Sequence, residues 1–163
     1  MKTIKLYEEF LNEKTLRAAG RYKVVNHKNA KYNHEVISRA ETLALLAEKA
    51  IKIDVKDLVI DAGTKGVTQV FIRFSNGLEF VITDKNLNLG VKSTKGQHKE
   101  WVDEFVETMK DLGYETNRFS AYDNSRVEVI TQEKDLRSIS FYKKVYDSLH
   151  KSIFNANIKR NSK

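Results

Sequence analysis

The chain of 163 residues carries no cysteine and no proline, with 40% hydrophobic and 31% charged residues and a formal net charge of +7. That length suits one domain with enough apolar content for a core, and zero cysteines exclude disulfides, thiol nucleophiles and thiolate zinc sites. No apolar run nears the roughly 20 residues that cross a bilayer, and the start MKTIKLYEEF has acids where an export signal would be apolar. In chain order, residues 3–19 read as a helix, with Ile4, Tyr7 and Leu11 at helical spacing and Gly20 as its stop. Residues 21–32 show no clean period and read as a basic linker or extended arm. Asn33 caps a helix over about 34–52, whose stripe is Val36, Ala40, Leu43, Ala47 and Ala50.

The period then changes to two. Leu58–Ile60 is a short apolar run, and VTQVFIRF (67–74) and LEFVIT (78–83) flank Ser75-Asn76-Gly77. A two-residue loop would set Phe74 against Glu79. A three-residue loop sets Ile72 against Phe80, Val70 against Ile82 and Arg73 against Glu79, which sorts polar from apolar far better. The spacing therefore predicts a type I turn with Gly77 in the left-handed position of a bulge. Leu87, Leu89 and Val91 alternate as a further strand. Thr94 and Gln97 form a capping box for a helix over about 95–112, with Val102, Phe105, Val106, Met109 and Leu112 inward, Trp101 packing at the edge and Gly113 as stop. Residues 117–122 and 126–131 read as a hairpin around Asp123-Asn124-Ser125. Thr131 caps a last helix of about 132–154, and residues 155–163 read as a disordered tail. The layout predicts an α+β fold: an antiparallel sheet of about four to six strands packed against helices, with an N-terminal helix and basic arm.

No phosphate loop, dinucleotide fingerprint, zinc-protease helix or serine elbow is present. Gly63-Thr64-Lys65-Gly66 reads as a turn. His27, His34, His98 and His150 never recur at the spacing that puts two ligands on one helix face, so no metal or other cofactor is expected. Asp54, Asp57, Asp61, Glu79 and Asp84 gather around the sheet, where a two-metal nuclease would need converging acids. Strand ends favour aspartate anyway, and Glu79 is better used opposite Arg73. No enzyme is expected.

Charge placement is more informative. The balance is +5 over residues 1–39, −4 over 40–136 and +6 over 137–163. Clustered positive ends suit a polyanion. The arm carries Lys14, Arg17, Arg21, Lys23, Lys28, Lys31 and Arg39 with Tyr22 and Tyr32 among them, and the last helix adds Lys143, Lys144 and Lys151. Lysine and arginine neutralise phosphates, and a tyrosine ring can stack on an unpaired base. Without a recognition-helix pattern, backbone contacts with little sequence preference are expected.

The opening Met1-Lys2-Thr3, followed by Tyr7, Glu9-Phe10, Leu11, Asn12 and Glu13, resembles the capsid-targeting segment of T4-like bacteriophage internal head proteins. The resemblance covers residues 1–13. It implies cleavage by a phage protease between Glu13 and Lys14, a location in the virion interior and then the host cytoplasm, and packaging beside the genome. The expected organisation is thus a targeting segment (1–13), a basic arm (14–33), a single α+β domain (34–154) and the tail. The expected activity is non-enzymatic nucleic-acid binding through phosphates, with DNA ahead of RNA and no membrane. The alternatives are an inhibitor or modifier of a host enzyme acting by protein contact, and a metal-dependent nuclease. Nothing in the residues sets an oligomeric state.

Overall fold

A computed structural model describes residues 22–25, 31–50, 52–61, 67–91, 97–121 and 124–162. The expected helix at 3–19, the processing residues Glu13 and Lys14, and the arm residues Arg17, Arg21 and Lys28 lie outside the described residues. So do Gly63-Thr64-Lys65-Gly66 and Thr94.

Seven strands form one sheet: β1 (Tyr22–Val25), β2 (Val55–Asp61), β3 (Gln69–Phe74), β4 (Leu78–Ile82), β5 (Leu87–Val91), β6 (Thr116–Ala121) and β7 (Asn124–Val129). Their spatial order is β1-β2-β3-β4-β5-β7-β6. Every pairing is antiparallel except β1 with β2. Helix α1 (His34–Ala50) connects these two parallel strands, as a parallel pair requires a crossover. Helix α2 (Gln97–Asp111), the single turn α3 (Glu133–Leu136) and the long α4 (Ile139–Asn161) complete the fold. The class is α+β, with one strand more than the upper end of the expected count.

Alternation along each strand sends one set of side chains under the helices. Leu58, Ile60, Val70, Ile72, Phe80 and Leu89 are buried there, with Phe105 of α2 and Tyr146 of α4 against Phe80 in edge contacts. The opposite face holds Asp57, Phe71, Arg73, Glu79 and Val81, and no described helix packs on it. Helices α2 and α4 run antiparallel, since the start of α2 meets the end of α4 through Trp101 Nε1 and Asn157 Oδ1 (3.3 Å). Midway, buried Thr108, Ser148 and Ser152 share hydroxyl hydrogen bonds, and their small side chains let the two helices approach closely.

The β3–β4 hairpin has the expected three-residue register: Val70 faces Ile82, Ile72 faces Phe80 and Arg73 faces Glu79. Gly77 has φ +93°, and a Cβ there would lie 2.8 Å from His98 Nε2. That ring nitrogen is 2.9 Å from the carbonyl oxygen of Asn76, so the imidazole cannot simply swing away. Gly113, at φ +91°, ends α2 with open space around its Cβ position. Gly113→Ala is therefore expected to cost about 1 kcal/mol of backbone strain alone, and Gly77→Ala about 1 kcal/mol more because of the ring. Urea midpoints of the two variants measure the difference, and equal midpoints would refute the His98 contact.

Several boundaries differ from the sequence expectation. Tyr22–Val25, expected in a free arm, is an edge strand of the sheet. Asn124 and Ser125, expected in the turn, belong to β7, with Asn124 paired to Ala121. Thr131 does not cap the last helix. Gln132 opens α3, where its N–H donates to Asp135, and Ser138 caps α4 by accepting from the Phe141 N–H. Helix α4 continues to Asn161, through most of the expected tail, because Ala156 is buried and Asn157 holds Trp101. Leu112 is exposed rather than inward, since α2 has already ended at Asp111. Asn33 caps α1 as expected, its Oδ1 accepting from Glu35 and Val36 N–H.

Candidate nucleic-acid interface

Each cation can be sorted by what it already holds. Arg39 is 4% exposed. Its guanidinium donates to Glu35 Oε1 (2.6 Å) and to the Asp84 carbonyl (3.3 Å), tying α1 to the β4–β5 loop. Arg39 is a structural group rather than the phosphate contact that its place among the basic residues suggests. The same hydrogen bond, with the charge of Arg39 and a further contribution from Arg137, holds the Glu35 carboxyl below the usual range.

Tyr22 and Tyr32 are half-buried and pack against the hydrophobic core, which leaves each ring only part of its surface for stacking. Lys23 lies opposite Val59, on the sheet face away from the helices, and its Nζ is 3.0 Å from Asp57. Asp57 is 5% exposed in its side chain and also receives Arg73 in a bidentate pair, 2.6 Å at each oxygen. Lys31 is exposed ahead of α1.

The C-terminal positives divide cleanly. Arg137 pairs with Glu133 (2.9 Å) and Glu35 (3.3 Å), Lys159 with Glu104, and Arg160 reaches Glu100 at 4.0 Å. Lys143, Lys144 and Lys151 are exposed and take part in no ion pair among the described residues. At 100° per residue these three fall on one stripe of α4, with Asp147 and His150 between them and Phe154 and Ile158 continuing it. Phe154 is 59% exposed and Ile158 49%. The stripe points away from the sheet, because Phe141, Tyr142, Val145, Tyr146 and Leu149 occupy the other side of the helix.

Among the described residues, Lys23 and the α4 lysines therefore do not share one surface. Lys23 faces outward from one side of the sheet, and the α4 lysines lie outside the helix layer on the other. The chemistry available at the α4 stripe is phosphate neutralisation by flexible ammonium groups beside an exposed aromatic ring. Sequence reasoning missed Phe154, although its position three residues after Lys151 and four before Ile158 put all three on one helical face.

Among the described residues no three histidines or carboxylates converge as metal ligands would. Asp57 faces cations rather than other acids. A groove of about 440 Å3 between α2 and α4 is lined by Glu100, Asp103, Glu104, Lys159 and Arg160. Its charges are taken up in pairs, Asp103 by Lys99 and Arg118 at 2.7 Å each. No described helix is long and apolar enough to cross a membrane. Compared with known protein families, with curated proteins and with solved structures, the chain matches none.

Proposed function

We propose that the protein is a non-enzymatic nucleic-acid-binding protein that grips the phosphate backbone, DNA ahead of RNA, with the outward stripe of α4 as its described contact surface. One observation carries this reading. Once internal ion pairs are accounted for, Lys143, Lys144 and Lys151 stand exposed together on one helix face. A chain that needed positive charge only for internal pairing would not leave three lysines on one stripe, against the single Asp147, with no ion pair among the described residues. The targeting resemblance at residues 1–13 suggests a setting for this activity, beside a packaged genome.

Counterion release makes such binding fall linearly on a log–log salt plot, with a slope of about −0.9 per phosphate contacted. Three lysines alone thus require a slope of about −2.7 on duplex DNA, and cations outside the described residues would steepen it. Fluorescence anisotropy across a salt series measures the slope. Affinity that is indifferent to salt would overturn the proposal.

A further inference from the structure

The α4 stripe carries one feature that phosphate binding does not use. Phe154 is more than half exposed, one helical turn beyond Lys151, and Ile158 lies one further turn along the same line. Exposing a phenyl ring to water forgoes the burial that folding would otherwise gain. Of the seven other phenylalanines and the one tryptophan, those described within helices are all buried, Phe105 and Phe141 in the core and Trp101 against Asn157.

We infer that Phe154 is a stacking platform for an unpaired base, so that the α4 stripe prefers single-stranded nucleic acid. This rests on the phosphate-binding reading above and deepens it. Three arguments support it. First, the ring sits on a convex helix surface, where a duplex would present sugar and phosphate edges while its base faces stayed stacked on one another. Only an unpaired base can offer its π-face to such a ring. Second, the charge placement matches a tracked backbone. Lys144 and Lys151 lie about 10 Å apart along the helix axis, and Phe154 follows about 4.5 Å beyond. A strand whose phosphates meet the lysines then brings a base over the ring. Third, the partner this face suits is charged. Lys143, Lys144 and Lys151 outweigh the single Asp147 on the stripe, which favours an anionic polymer over an apolar protein surface.

The test uses the full chain, oligothymidylate and a duplex of equal length, with anisotropy as readout. Phe154→Ala is expected to lower the single-strand to duplex affinity ratio about tenfold, the scale of one lost base stack. Phe154→Trp should restore the ratio, and its indole emission should be quenched as oligothymidylate binds, over a constant background from buried Trp101. An unchanged ratio in Phe154→Ala, with lysine variants still weakening both ligands, would overturn stacking and leave phosphate binding standing. No binding of either ligand by the unaltered chain would overturn both readings. Sedimentation with phosphatidylserine vesicles that depends on Phe154 and Ile158, while oligothymidylate affinity does not, would assign the stripe to a membrane surface and overturn the inference.

Discussion

Replacing Lys143, Lys144 and Lys151 together by glutamine is expected to lower affinity for duplex DNA about 100-fold at roughly 0.1 M salt, and to flatten the salt slope by about 2.7. The size follows from the counterion argument. Each phosphate contact contributes about 0.9 to the slope, so one decade below the molar reference it contributes close to one decade of affinity. Three contacts would give nearly three decades. The lower figure allows for Asp147, which lies on the same stripe and weakens the local field. The side chains are exposed, so the substitutions should leave folding intact, which the buried Trp101 fluorescence reports. Lys23→Gln is the matched control. It also removes one formal charge, but from a lysine held by Asp57 on the other side of the sheet. Its slope should stay with that of the unaltered chain. If Lys23→Gln flattened the slope as much per charge as the triple variant does, binding would depend on net charge alone and the α4 surface would lose its special role.

How much of this could be read from residues alone depends on whether the signal was local. The β3–β4 register was legible because pairing and turn chemistry agreed over a dozen consecutive residues, and only one loop length sorted Arg73 and Glu79 away from Ile72 and Phe80. The stop at Gly113 was legible for the same reason. Strand β1 was not. Its four residues pair along a single parallel edge with β2, more than thirty positions away, and show no alternation strong enough to announce a strand.

Charges were the least legible feature, because counting them says nothing about what they hold. Arg39 looked like part of a basic arm, yet it lies three residues after Val36 and four before Leu43, within the buried stripe of α1. That spacing was the available signal for its burial. The end of α4 failed differently. A polar, proline-free run after Phe154 reads as a tail, whereas burial of Ala156 and the hydrogen bond from Trp101 to Asn157 carry the helix on. Ile158 therefore falls inside a segment expected to be disordered, and Phe154 stands as the last residue of the expected helix, so the continuation of the stripe beyond it is hidden.

A large, pH-dependent stability effect is expected at Asp57. This carboxylate is nearly sealed between β1 and β3, and its hydrogen bonds from Arg73 outweigh the opposing effect of burial. Together with Lys23 they hold its pKa at about 2, against an ordinary 3.8. The folded value is depressed, so the contribution is fully present above about pH 4 and is lost as pH falls through about 2. A shift of a little under two units corresponds to about 2 kcal/mol. Asp57→Asn should therefore lower the unfolding free energy by about 2 kcal/mol at pH 7, moving the thermal midpoint by roughly 4–8 °C. The loss is asymmetric among the partners. Lys23 is 62% exposed in its side chain and returns to water when freed, so Lys23→Gln should cost well under 1 kcal/mol. Arg73 is 27% exposed and would keep, among the described residues, Glu79, its cross-strand neighbour, as an acidic partner. Urea unfolding of Asp57→Asn, Arg73→Gln and the double variant gives the coupling directly. The gap between the unaltered chain and Asp57→Asn should narrow steadily from pH 4 towards pH 2, where the native carboxyl is itself becoming neutral. A gap that stays constant over that range would mean that the aspartate acts through shape and hydrogen bonding alone, and the electrostatic account of this sheet face would fall.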